Sequence, residues 1–318
     1  MTDAPRVLIT GASGFVGAAV VRRAHEQGLP VTALVGPRSD LARLAPIAHE
    51  LTIVRADITD EAALVAAVVD ARPDVCIHLA AAGAVVRQDG LDLLWAANAL
   101  APAHIARALA DAGARRLVTA GSSSEYGTVD GPMDEARACD PDDLYGVSKL
   151  AGGLLARNVG RDAGLETAHL RLFSVYGPGE DPRRLVASVV SALVAGRPID
   201  LTPGEQVRDF VYVDDVADAL LAAALEPGVD GVTVNVGTGV QTTVRELCLR
   251  IAALTGGEDL LHFGARPYRS GERFQWRAAT ALAQRTLGWS AGTPLDEGLR
   301  LTVEAARDEA TTEQEQAA

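Results

Sequence analysis

Apolar positions along the first half of the chain fall into two alternating periods. Short runs rich in β-branched residues occupy Arg6–Thr10, Val31–Val35, Thr52–Arg55, Val75–Leu79, Arg116–Ala120 and Ala168–Phe173. Longer Ala- and Leu-rich amphipathic segments lie between them, at Gly14–Gln27, Glu61–Ala71, Leu91–Ala112 and Leu144–Ala163. This repeat predicts βαβ units around a parallel sheet. Right-handed crossovers then give a doubly wound sheet with ligands at the C-terminal ends of its strands. After Tyr176-Gly-Pro-Gly179 the rhythm changes to longer loops and Arg/Pro-rich segments, with one further strand expected at Val232–Val236. That half is read as completing the sheet and supplying a smaller substrate-facing lobe.

With 318 residues, 48% of them hydrophobic, the chain has enough apolar surface for a large core. Aromatic residues are only 4%, so Ala, Val and Leu must fill it. The net charge of −13 argues against a nucleic-acid partner or an anionic membrane. No stretch resembling a signal peptide precedes Arg6–Thr10, and apolar stretches such as Leu185–Ala195 fall short of the roughly 20 residues a membrane span needs. The expectation is a soluble cytoplasmic protein. Its three cysteines, Cys76, Cys139 and Cys248, lack metal-like spacing and read as inert thiols.

Candidate chemistry sits at two strand ends. Gly11, Gly14 and Gly17 follow the first strand and open the first helix. In that setting Gly11 permits a tight turn, Gly14 a close approach to a pyrophosphate, and Gly17 close packing of helix on strand. Downstream, Tyr145-Gly-Val-Ser-Lys149 puts a phenol and an ammonium on one helix face. A cation beside a tyrosine favours the phenolate, and lowering its pKa by about 3 units takes about 4 kcal/mol of differential stabilisation.

Together, the Gly-x-x-Gly-x-x-Gly loop and the tyrosine-lysine pair resemble the short-chain dehydrogenase/reductase superfamily. The chain length points to its extended branch, the NAD-dependent epimerase/dehydratases that modify nucleotide sugars. Further matches are Asp57-Ile58, His78-Leu-Ala-Ala81, Asn98, Gly121-Ser-Ser-Ser-Glu-Tyr-Gly127, Leu170-Arg-Leu-Phe173, Arg208-Asp-Phe-Val-Tyr-Val-Asp-Asp215 and Asn235-Val-Gly-Thr-Gly239, so the likeness runs from about Arg6 to Arg300. It implies a Rossmann-type doubly wound parallel sheet with a smaller mixed α/β substrate-binding lobe. Residues 1–173, rejoined by 205–238, are expected to bind the cofactor, residues 174–204 and 239–305 to form the lobe, and residues 306–318 to be a disordered acidic tail.

The resemblance makes Ser122, Tyr145 and Lys149 the expected catalytic residues of an NAD(P)-dependent oxidoreductase. Cofactor contacts are expected from Gly11, Ser13, Gly14, Phe15, Val16, Gly17, Asp57, Ile58, Leu79, Ala80, Ala81, Asn98, Tyr145 and Lys149. The second strand ends without the acid that would favour NAD; Arg38 and Ser39 follow instead, so NADP(H) is the expected cofactor and NAD(H) the alternative. Substrate contacts are expected from Ser123, Ser124, Ser174, Arg208, Arg269 and Arg273, with Arg266 in the same basic cluster. Ser174 departs from the usual asparagine.

Family 4,6-dehydratases carry an Asp-Glu pair directly after the catalytic hydroxyl, and here Ser123 and Ser124 stand there, with Glu125 one place later. If the strand continues, Glu125 faces the other way. The expected reaction is therefore reduction of the 4-keto group of a nucleotide-linked 4-keto-6-deoxyhexose, in deoxysugar biosynthesis. The alternatives are a nucleotide-sugar 4-epimerase and, in another class, a dinucleotide-sensing regulator. A homodimer is expected through the helices bearing Asn98 and Tyr145. Asp209, Asp214 and Asp215 have a metal-like spacing, but a helix cap around Asp214 is the preferred reading.

Overall fold

In the computed structural model, which describes residues 4–83, 90–269 and 271–317, strand pairing follows the β-branched runs. β1 (Val7–Thr10), β2 (Val31–Val35), β3 (Thr52–Arg55), β4 (Val75–His78), β5 (Arg116–Ser122) and β6 (Glu166–Leu172) enter one sheet. β7 (Ser174–Tyr176), β8 (Ile199–Leu201), β9 (Val207–Arg208) and β10 (Phe210–Tyr212) follow, then β11 (Val232–Val236), β12 (Thr242–Thr243) and β13 (Leu261–Phe263). The main sheet has the order β11-β6-β5-β4-β1-β2-β3, and every pairing in it is parallel. The late strand predicted at Val232–Val236 thus extends the sheet beyond β6.

The helices are α1 (Phe15–Glu26), α2 (Glu61–Ala71), α3 (Leu91–Leu94), α4 (Ala101–Asp111), α5 (Leu144–Ala163), α6 (Leu185–Val194), α7 (Val213–Leu225), α8 (Val244–Thr255), α9 (Ala281–Leu287) and α10 (Leu295–Ala317). Alternation along the strands splits the core into two layers. Leu8, Leu34, Cys76 and Leu117 pack with α2 and α4 residues on one face, while Ile9, Ala33, Val35 and Ile77 pack with α1 and α7 on the other. The pairs β7·β10, β9·β12 and β8·β13 stand outside this sheet and shape the lobe at its C-terminal end.

Three local expectations change. The helix expected over Leu91–Ala112 is broken by a π-helical stretch at Trp95–Leu100 between α3 and α4. The residues expected as a disordered tail are helical through Ala317, held by Arg307 donating to the Leu254 carbonyl and by Thr311 and Thr312 bonding back one turn; Ala318 lies outside the described residues. Tyr212, without a side-chain bond, caps α7; Asp214 lies inside the first turn and pairs with Arg22. No described helix is long and apolar enough to cross a membrane.

Candidate active site

Thr10, fully buried at the end of β1, organises the cofactor edge. Its hydroxyl accepts the N–H groups of Leu79 and Ala80 at 3.2 Å and contacts His78 Nδ1 at 2.7 Å, so β1 and the segment after β4 meet beneath the glycine loop. Gly11 has φ +65°, and a Cβ there would lie 2.6 Å from Ala80 N. A Cβ on Gly17 would overlap the Gly11 carbonyl oxygen. Gly14 caps α1 with no side-chain bond to the first turn, which leaves the opening N–H groups for an anion. An uncapped helix start behind a loop with no room for side chains fits a dinucleotide pyrophosphate, with the Gly11–Gly17 backbone holding it.

A cleft of about 750 Å³ opens over this loop. Gly11, Gly14, Phe15, Val16, Gly17, Leu79 and Ala81 line its cofactor end, and Ser122, Ser123, Ser124, Tyr145, Lys149, Ser174 and Arg269 line the rest. The sheet therefore brings residues from six separate segments to one cavity. Ser13, Arg38, Ser39, Asp57, Ile58, Ala80, Asn98, Arg208 and Arg273 are not on its wall.

Tyr145 and Lys149 ride on α5, whose start is fixed by Asp143 accepting the Gly146 N–H at 2.6 Å. Asn98, in the π-helical turn, exchanges two hydrogen bonds with the Ala82 backbone and donates to Ser148 Oγ at 3.0 Å. It buttresses the tyrosine helix against the post-β4 loop. The widened turn aims this buried amide sideways, a common use of π-bulges at functional sites. Burial pushes the Tyr145 phenol up to about 12, opposed by the charge of Arg184 and reinforced by Glu125 and Asp143. Burial also brings Lys149 down to about 8. Within the protein itself lost hydration outweighs the surrounding charges, and the expected lowering of the phenol calls on the positive ring of an oxidised nicotinamide as well as on Lys149.

β5 ends at Ser122, and a 3-10 turn over Ser123–Tyr126 replaces the continued strand. Glu125 does face away from the cleft, but because this turn carries it inward to full burial. Ser123 Oγ accepts the indole N–H of Trp276 at 2.8 Å.

The basic residues divide into one cleft-facing group and two braces. Arg269 is exposed on the cleft wall. Arg208 pairs with Glu272, and its guanidinium lies 5.3 Å from the Trp276 ring, behind the wall that Trp276 forms. Arg273 pairs with Asp142 and Asp143 and covers the same ring at 4.9 Å. Arg38 is exposed, and Arg55 holds its loop by donating to the carbonyls of Gly36, Pro37 and Ser39 at 3.2 Å. Asp57 accepts the N–H and hydroxyl of Thr59, a turn bond that lowers its pKa. Asp209 accepts from Thr238, Gly239 and Ala278, so it staples two loops; among the described residues no group of three or more His, Cys, Asp or Glu is placed to hold a metal ion.

The model of the NAD dependent epimerase/dehydratase family matches residues 7–237. The chain belongs to that family. It is 34% identical over 313 residues to a UDP-glucose 4-epimerase of Mycolicibacterium smegmatis, covering 95% of this chain and 99% of the relative. A dTDP-glucose 4,6-dehydratase of Streptomyces niveus is 30% identical over 317 residues, covering 95% of this chain and 93% of the relative. Among solved structures, MoeE5 in complex with UDP-glucose and NAD superimposes with a TM-score of 0.85 at 32% identity, covering 96% of this chain and 99% of MoeE5. Membership makes this chain an oxidoreductase-type enzyme of the extended short-chain dehydrogenase/reductase group, among nucleotide-sugar epimerases and dehydratases.

Among the residues of this cleft that the sequence reading did not name, four carry charge or bulk that bears on ligand binding. Arg43 spans it, donating Nε to the Gly179 carbonyl at 2.9 Å and Nη1 to that of Ser13 at 3.4 Å. Asp181 and Arg184 enter from the loop after Gly179, and Trp276 closes the lobe side. A tryptophan is a conspicuous residue in a chain with only 4% aromatics, but the destination of the other three is encoded by no local pattern.

Proposed function

We propose that this chain is an NAD-dependent nucleotide-sugar 4-epimerase. One observation carries the reading: at the two positions after Ser122 where dehydratases hold an acid and a base, the cleft has Ser123 and Ser124, and Ser123 Oγ is already engaged by Trp276. Tyr145 is then the proton carrier of the proposed reaction and Ser122 its hydroxyl donor, both on the cleft wall. Such a site suits removal and return of one hydride and one proton at a sugar carbon, but not elimination across two carbons.

A nicotinamide dinucleotide held by Gly11–Gly17 supplies the hydride acceptor and donor. With an oxidised nicotinamide bound, its positive ring and Lys149 would favour the Tyr145 phenolate, which takes the proton from the sugar 4-oxygen and later gives it back. Ser122 Oγ accepts the Ser124 N–H at 3.1 Å, so its own proton is free for the sugar oxygen. Lys149 holds the nicotinamide ribose and adds positive charge beside the phenol, and Arg269 meets the substrate diphosphate.

An epimerase gains from a cofactor that never leaves, and the Arg43 span from Ser13 to Gly179 supports retention. Among the described residues its guanidinium bonds to backbone carbonyls and to no carboxylate, so its charge is available to the pyrophosphate. The similarity to the M. smegmatis epimerase over nearly the full length supports the same reading.

The second reading is an NADPH-dependent 4-ketoreductase, favoured by Gly36 and Arg38 after β2, where no acid repels a 2′-phosphate. A cytoplasmic homodimer completes the proposal. Among the described residues, seven of the ten exposed large hydrophobic side chains lie on the α3–α4 segment or α5: Leu91, Leu93, Trp95, Leu100, Leu144, Val147 and Leu154. These helices pack against each other, and the apolar side chains they expose suit a subunit interface.

The deciding experiment denatures the purified enzyme, identifies the released cofactor, and incubates native enzyme with UDP-glucose. Bound NAD and formation of the C4 epimer without added cofactor are expected. An enzyme that purifies free of NAD and consumes NADPH stoichiometrically with a TDP-4-keto-6-deoxyhexose overturns the epimerase in favour of the reductase.

A further inference from the structure

Behind the catalytic edge lies a buried cluster that the reaction as described does not use. Glu125 is 0% exposed, yet its carboxylate has three donors. Oε1 accepts the backbone N–H of Ser122 at 2.8 Å and contacts His169 Nε2 at 3.0 Å, while Oε2 accepts from Arg171 Nε at 2.8 Å. The ionised carboxylate only accepts, which assigns a proton to His169 Nε2, and His169 Nδ1 is in turn 2.8 Å from the Thr119 hydroxyl. A line of hydrogen bonds therefore runs from Thr119 through His169 and Glu125 to the main chain of Ser122.

The surrounding backbone is cut to fit this cluster. A Cβ on Gly121 would lie 2.4 Å from His169 Nε2 and 2.5 Å from Glu125 Oε1, and a Cβ on Gly153 would lie 2.5 Å from His169 Cε1. Two elements, β5 and α5, thus omit a side chain where the histidine and the carboxylate meet. Burying an ionised carboxylate is expensive unless it is paired and fully hydrogen-bonded, and here Arg171 and His169 meet that demand from β6. They hold Glu125 down to about 2, against a burial effect that alone would raise it.

The same turn fixes the serine from its other side. Ser124 N–H donates to Ser122 Oγ while Glu125 accepts the Ser122 N–H, a reciprocal box closed on the residue at the cleft. Both backbone and hydroxyl acceptor of Ser122 are thereby held, and the hydroxyl proton is left to point into the cleft.

The structure assigns Glu125 as a positioning residue for Ser122, anchored by His169 and Arg171, which sets the direction of the serine hydroxyl toward the sugar oxygen. This assignment rests on Ser122 being the substrate-facing hydroxyl of the proposed epimerase. It gives Glu125 a catalytic consequence without contact with substrate, one shell behind the position where dehydratases place their acid.

A double-mutant cycle between the two residues tests it, with UDP-glucose as the probe. Glu125→Asp keeps the charge that Arg171 and His169 need but draws the carboxylate back by one methylene. It is expected to lower kcat about 10-fold with KM changed less than twofold. Ser122→Ala lowers kcat more, and adding Glu125→Asp to it is expected to cost less than a further twofold. General damage to the fold would instead cost the same factor in both backgrounds, and that result overturns the assignment, as does a Glu125→Asp enzyme with unaltered kcat. Should Glu125→Asp not fold by circular dichroism, Glu125→Gln enters the same cycle with the same criteria. Full turnover by Ser122→Ala alone would instead remove the serine from the mechanism, a failure of the underlying reading and not of the geometry behind it.

Discussion

Trp276 donates its indole N–H to Ser123 Oγ across 2.8 Å, joining residues 153 positions apart in the chain. The ring is 8% exposed and lies within 5.3 Å of Arg208 and 4.9 Å of Arg273. One aromatic side chain thus reaches the turn that follows Ser122, and the guanidinium groups of Arg208 and Arg273 settle on it.

Replacing that indole with a ring that cannot donate separates the two roles. Trp276→Phe leaves Ser123 Oγ, buried at 4%, without its donor, a loss of about 1–2 kcal/mol. We expect a lower melting temperature and a several-fold higher KM for the nucleotide sugar, since the wall facing the substrate loosens. Thermal denaturation and steady-state kinetics check this; a variant with unaltered Tm and KM would show that Trp276 is only filling space.

The apolar side chains left outside α5 lead to a second expectation. Leu154 is 42% exposed on a helix that also exposes Val147 and Leu144. Light scattering after size-exclusion chromatography should give the wild type twice the 33.1 kDa chain mass, and Leu154→Glu should give the mass of one chain. A monomeric wild type removes the proposed interface.

Glu180 supplies a pH dependence. Its side chain is 3% exposed beside Arg184, and burial raises its pKa to about 7 against the opposing pull of the arginine. A folded-state pKa above the unfolded value of about 4.5 means that stability is greatest below that value and falls as pH rises through 7, by about 3 kcal/mol in all. Wild-type enzyme should therefore lose stability in urea between pH 5 and pH 8, and Glu180→Gln should lose much less over the same range. Parallel pH curves for the two proteins would remove the assignment.

Much of this architecture was legible before the structure. The ends of β2, β3, α2 and α5 fall where the apolar periods place them, because each segment buries one continuous face and stops where Gly, Asp or a charged run interrupts it. The glycine loop and the Tyr145–Lys149 pair were equally plain, since both are local spacings on a predicted strand-helix junction. The roles of Arg208 and Arg273 were not, because a motif specifies a residue type while its partners, Glu272 and Asp142, come from elsewhere in the chain. The π-helical turn that aims Asn98 at Ser148 left no periodic trace, one residue of extra winding being smaller than the tolerance of a helical pattern.

The sequence by itself therefore determined the strand-helix alternation, the parallel sheet, the glycine loop and the Tyr145–Lys149 spacing on one helix face, all properties of short stretches whose hydrophobic period or spacing is self-contained. Tertiary structure alone decided which charges face the cleft, what raises the Tyr145 phenol, and that Glu125 turns inward to hold Ser122. Those depend on burial and on partners far apart in the chain, and the cost of an unpaired buried charge is set by the packed neighbourhood, which no local pattern records.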